Sequence, residues 1–218
     1  FKPENLILEQ GDFAVYIAHS SDIENISREI ARIREITFRE FGEGSNEAND
    51  IDEYYMYYRH LFIWYNKREQ IAGAYRIGRG DEIMDDLGKH GFYTQSLFRY
   101  KDEFNPILKQ TVELGRSFIT KDYQTKTLPL FLLWRGILHF LLQNEQYRYI
   151  IGPVTISNQY SGTAKWLIIE FIKRNYYNPE LAAMVNPRTE FEVMKRDRDE
   201  KLLDAINFSD LGKLDKLI

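Results

Sequence analysis

With 218 residues, 44% hydrophobic and 15% aromatic, the chain is long enough to bury one sizeable core. Its 29 lysines and arginines against 33 aspartates and glutamates leave a formal charge of -4, so no global basic field draws it to nucleic acid. Cysteine is absent, which excludes disulfides, thiolate metal sites and a cysteine nucleophile, and the four histidines are too scattered to suggest a metal site.

The sequence opens at Phe1 with no basic-then-apolar leader and reads as part of something longer. Leu6-Ile7-Leu8 is a short apolar run closed by Gly11, and Phe13 to His19 alternates as a strand does. Ser21-Asp22-Ile23-Glu24 has the form of a capping box. It predicts a helix in which Ile23, Ile26, Ile30, Ile33, Thr37 and Phe41 share one buried face, ending at Gly42 and Gly44. Residues 43–53 read as an acidic solvated loop, with Asp50 and Asp52 nearest the next strand. Tyr57 to Tyr65 and Gln70 to Ile77 predict a hairpin that carries Arg76 near its end. Residues 78–110, broken by glycines and Pro106, predict an irregular excursion with a helical turn or two.

Thr111 to Leu142 is the most informative stretch: a strand with charges inside it, a turn at residues 121–124, and an apolar helix with Pro129 in its first turn. Glu113 and Arg116 are three apart, so a regular strand sends them to opposite faces. Gly115 between them suggests a bulge, which restores both to one face and predicts a paired acid and base. A structural ion pair bracing the bulge is the alternative reading. The following helix start suits phosphate. The helix contains Arg135 and His139 and is too short to cross a bilayer. Tyr147 to Thr155 predicts a strand and Ser161 to Arg174 a helix, while Arg188 to Ala205 has a charged helical pattern and Leu211 to Ile218 a short amphipathic one. The order predicts an α/β domain over residues 1–175, a mixed central sheet flanked by helices, followed by a helical segment over 176–218 that is either an appendage or a truncated remainder of that domain.

The element order, with Arg34-x-x-x-Phe38, Asp50-x-Asp52, Gly73-Ala-Tyr-Arg76 and Glu113-Leu-Gly-Arg116-Ser117, resembles the GNAT-fold acyltransferases. Within them it looks most like the hemolysin-like branch of ornithine-lipid and glycine-lipid N-acyltransferases, and it is similar to the acyl-homoserine-lactone synthases. The resemblance implies transfer of a fatty acyl group from acyl carrier protein or coenzyme A, used as co-substrate rather than tight cofactor, to a small amine. It implies Glu113 as base or water-positioning group, steadied by Arg116, with Arg34, Phe38, Asp50, Asp52 and Arg76 on the acceptor side. Gly115, Ser117, Lys121, Gln124 and Lys126 are then the donor side. The glycine loop typical of coenzyme A users is missing, since Gln124-Thr-Lys-Thr-Leu-Pro129 has no glycine, which favours the carrier protein. The resemblance further implies a cytoplasmic enzyme with peripheral membrane contact, and some relatives are fused to a second acyltransferase domain. A non-catalytic module of the same fold that binds an acyl carrier or a partner domain is the alternative.

Overall fold

The computed structural model describes residues 2–190 apart from Phe41, Glu43, Asn49 and Asn158. The charged helix expected from Arg188 therefore falls almost wholly outside the described residues, as do the amphipathic stretch 211–218 and the place of Phe41 on the first helix. In chain order the elements are β1 (Leu6–Gln10), β2 (Phe13–His19), α1 (Glu24–Arg39), β3 (Arg59–Tyr65), β4 (Gln70–Arg79), α2 (Gly80–Asp86) and β5 (Phe98–Tyr100). They continue with α3 (Asn105–Lys109), β6 (Thr111–Ile119), α4 (Thr127–Gln143), β7 (Tyr149–Ile151), α5 (Gly162–Tyr176), α6 (Pro179–Ala182) and β8 (Val185–Pro187).

These gather into two compact units. The first, Phe1–Gln95 with Asn105–Pro153, holds a six-stranded sheet in the order β1-β2-β3-β4-β6-β7. The second, Ser96–Phe104 with Val154–Ile218, holds the antiparallel pair β5 and β8 together with α5 and α6. In the first unit, β1 to β4 and β6 pair antiparallel, and only β7 runs parallel to its neighbour β6. That parallel step requires a crossover, which α4 supplies.

Strand alternation divides the core between two helices. Val15, Leu61, Ile63, Ile77, Val112 and Leu114 point to the face covered by Leu132, Leu133, Ile137 and Phe140 of α4. Ala18, Phe62, Ile71, Ala74 and Phe118 point to the other, where Ile23 and Ile30 of the α1 region cover them with Ile26 and Ile33 packed alongside. Helix α4 lies so close to the sheet that a β-carbon on Gly136 would come within 2.6 Å of Leu61.

Three expectations change. The capping box does not form: α1 begins at Glu24 with Ile23 as its uncapped N-cap, because Ser21 bonds the His19 imidazole and Asp22 pairs with Lys2. The strand expected over 147–155 is confined to Tyr149–Ile151. Gly152 ends it, lying so close that a β-carbon there would sit 2.3 Å from the Leu114 carbonyl oxygen, and Pro153 has no N–H to continue a ladder. Pairing between β6 and β7 accordingly stops at Glu113–Ile151, and among the described residues β6 has no further strand partner along that edge up to Ile119. Finally, Tyr57 and Tyr58 precede the hairpin rather than open it, after a single helical turn at Glu53–Met56.

Candidate active site

The α1 side of the sheet carries a cluster of charges drawn from four parts of the chain. Arg34 comes from the last turns of α1, Asp50 and Asp52 from the loop that leaves it, Arg76 from β4 and Arg116 from β6. Glu35, on α1 itself, sets the loop: its carboxylate accepts from the Ser45 N–H (2.8 Å), the Ser45 hydroxyl (2.7 Å), the Asn46 N–H (2.9 Å) and Arg39 (2.8 Å). The Ser45 hydroxyl, more than the Arg39 guanidinium, holds this carboxyl at about 2. The chain then returns across α1, where the Asp50 N–H faces the Ala31 carbonyl at 3.4 Å.

Arg34 and Arg116 both pair with the Asp50 carboxylate, and Arg116 also reaches the Asp50 carbonyl at 2.8 Å and Asp52 at 2.8 Å. Arg76, only 2% exposed, reaches Asp52 at 2.6 Å and lies over the rings of Tyr54, Tyr58 and Tyr93. Arg34 stacks on Phe38 at 4.0 Å. Burial, then repulsion from Arg116 and Arg76, brings the Arg34 guanidinium down to about 10, which leaves it charged at neutral pH. The Nε groups of Arg34, Arg76 and Arg116 are buried with no hydrogen-bond partner among the described residues. A cluster of three guanidinium groups around two carboxylates thus retains both positive charge and donors.

The bulge anticipated near Gly115 is present: β4 advances two residues from Ala74 to Arg76 while β6 spends three, from Phe118 to Gly115. The left-handed residue is Arg116, with φ +48, not Gly115. A β-carbon on Gly115 would meet nothing within 4 Å, so this position opens onto free space instead of being tightly packed.

Glu113 and Arg116, however, do not pair. Glu113 is 1% exposed and accepts from the Tyr58 hydroxyl, the Tyr93 N–H (2.9 Å), the Thr94 N–H (2.7 Å) and the Thr94 hydroxyl. Neutral donors satisfy it, while Arg116 spends its charge on Asp50 and Asp52. Burial and then Glu113 itself push the Tyr58 hydroxyl upward, so it stays a donor. Nothing local in the sequence marks Tyr93 and Thr94, which lie in the irregular excursion; the tyrosine run at 54–58 was the available signal for Tyr54 and Tyr58. His60, also buried here, faces Ser20 at 3.0 Å and is pushed down to about 3, chiefly by burial, so its imidazole is neutral.

Of the residues expected on the donor side, Ser117 shares the bulge with Arg116. Lys121 pairs with Glu40 at 2.9 Å, the Gln124 amide donates to the Ile119 carbonyl at 3.0 Å, and Lys126 lies over the Tyr123 ring at 4.8 Å. Lys126 is the N-cap of α4 and makes no side-chain cap, so no side chain from the cap residue occupies the helix's first N–H groups.

Residues 33–134 match the acetyltransferase (GNAT) domain family, a span that contains the whole charge cluster, the bulge and the start of α4. The chain is similar to a glycine N(alpha)-acyltransferase of Phocaeicola vulgatus, 31% identical over 212 residues, covering 92% of this chain and 64% of that protein. It is also similar to a glycine N(alpha)-acyltransferase of Bacteroides thetaiotaomicron, 33% identical over 177 residues, 76% of this chain and 52% of that one. The chain thus spans between about half and two thirds of the length of these curated relatives.

Proposed function

The chain carries a GNAT acyltransferase domain, and from that premise we propose that it moves a fatty acyl group from a phosphopantetheine thioester to the amino group of glycine or a similarly small amino acid. The observation that carries this reading is the cluster of Arg34, Arg76 and Arg116 around Asp50 and Asp52, which has one positive charge in excess and unspent Nε donors. An acceptor carboxylate supplies the missing negative charge, and planar guanidinium groups suit it.

Held there, the acceptor presents its nitrogen toward the bulge. The neutral amine's lone pair attacks the thioester carbonyl, the C–N bond forms as C–S breaks, the nitrogen loses a proton and the thiolate leaves to become a thiol. Backbone N–H groups at the Arg116–Ser117 bulge are suited to the oxygen that becomes negative. Glu113 organises this site through Tyr58 and the 93–94 segment; with its acceptor positions filled, it is not the group that takes the proton. The uncapped start of α4 suits the phosphate of the phosphopantetheine arm. That arm is common to both donors. The missing glycine loop and the internal engagement of Lys121 and Gln124 favour acyl carrier protein over coenzyme A, and an N-acyl amino acid product is a precursor for amino-acid-containing lipid.

The test is amide formation, read by mass spectrometry, with acyl carrier protein and coenzyme A thioesters compared and glycine set against methylamine, which lacks the carboxylate. Glycine is expected to be favoured by about 10-fold or more. No amide with either donor would overturn the reaction; equal rates for the two amines would overturn the role of the arginines.

A further inference from the structure

Helix α4 buries one face on the sheet and leaves the opposite one apolar. Leu130, Phe131, Trp134, Leu138 and Leu142 are each 50% exposed or more and follow one another at helical spacing on a single stripe. Single exposed apolar side chains need no explanation, but five large ones in a row do. From Tyr123 to Asn144 the sequence contains no aspartate or glutamate, and its charged residues are Lys126 and Arg135. Arg135 sits beside the stripe, over the Phe131 ring at 5.7 Å and bonded to Gln10 at 2.6 Å. Among the described residues no helix is long and apolar enough to cross a membrane.

We infer that the outer face of α4 is a membrane-docking surface that seats this unit on an anionic phospholipid bilayer. An aromatic and aliphatic stripe with a cation beside it and no acidic residue on the helix, on a helix that cannot span, has the composition of a helix lying in the interface. A second copy of the chain is a poorer occupant. An isologous α4 contact would set an acid-free cationic helix against itself, with no opposite charge to meet Arg135. The surface belongs to α4 alone, and the fatty product of the proposed reaction gives it a use, since that product partitions into lipid.

The experiment is co-sedimentation of the 218-residue chain with vesicles, without any substrate, so that its result does not depend on the acyl-transfer reading. The chain is expected to bind vesicles of equimolar phosphatidylcholine and phosphatidylglycerol, and to bind phosphatidylcholine alone more weakly. The Phe131→Ser, Trp134→Ser, Leu138→Ser triple variant is expected to lose about 10-fold or more in partitioning. Its melting curve serves as the folding check. If that variant proves unfolded, quenching of Trp134 fluorescence by brominated lipid, corrected with Trp134→Phe, gives the second measurement. Absence of binding by the wild-type chain, equal binding by the folded variant, or no lipid quenching of Trp134 overturns the proposal. So does a wild-type dimer that the triple variant renders monomeric, which would assign the stripe to a second copy.

Discussion

A carboxylate has acceptor positions for about four hydrogen bonds, and Glu113 uses them on two backbone N–H groups and two hydroxyls. Glu113→Gln replaces one acceptor oxygen by a donor that faces other donors in a buried place. The expected cost is about 1–3 kcal/mol of stability, seen as a fall in Tm, with turnover declining along with it. Unchanged Tm with lost turnover would instead return Glu113 to a direct chemical role. Arg116 is expected to behave differently, because its fork engages Asp50 and Asp52 together. Arg116→Lys keeps the charge but loses the fork, so KM for glycine is expected to rise by roughly 10-fold with a smaller effect on kcat; a change confined to kcat would contradict carboxylate recognition. The types and positions of these residues were readable from the sequence, whereas their partners were not. Two charges three apart with a glycine between them announce a bulge, but only the packed excursion brings Tyr93 and Thr94 to Glu113 and leaves Arg116 for the aspartates.

At the scale of elements, the α1 loop and the β6–β7 junction position the site, and each depends on one residue. The Glu35 carboxyl is held at about 2, below its ordinary value near 4.3, chiefly by the Ser45 hydroxyl. A depressed carboxyl contributes stability that is present above the ordinary value and lost as pH falls toward the folded one. The Ser45 and Asn46 amides are therefore expected to lose hydrogen-exchange protection between about pH 4 and pH 2. Glu35→Gln should remove that pH dependence, and a variant that retained it would disprove the clamp. At the junction, Gly152→Ala would press a β-carbon onto the Leu114 carbonyl. A loss of about 1–3 kcal/mol is expected in denaturant unfolding, and a neutral substitution would show that the strands part without strain. The sequence showed the face of α1 plainly through its spacing of three and four, because that face packs along its length. It overstated β7 since the largely apolar run from Tyr149 continues past Gly152 to Val154, and apolar runs do not reveal where a neighbouring carbonyl and a proline stop the pairing.

Over the whole molecule, β1 to β4 pair in the order in which they are made, each with its sequence neighbour, whereas β6 and β7 join through the α4 crossover. Neighbouring pairs close short loops and lose less chain entropy before they gain contacts. Pulse-labelled hydrogen exchange during refolding is expected to protect β2, β3 and β4 before β7; simultaneous protection would rule out this order. The mixed sheet with flanking helices was legible because strand and helix periods alternate along the chain. The second unit was not, since β5 and β8 are three residues each and come from segments far apart in sequence. The left-handed backbone of Arg116 carries a further consequence. In the proposed reaction one residue gives its side chain to the acceptor and its main chain to the bulge that meets the donor's carbonyl, so occupancy of either half bears on the geometry of the other. Because the amine of the proposed reaction attacks the donor's thioester directly, the two substrates are expected to be present together. Initial velocities plotted for one substrate at several levels of the other should give intersecting lines, and parallel lines would indicate an acyl-enzyme and overturn direct attack.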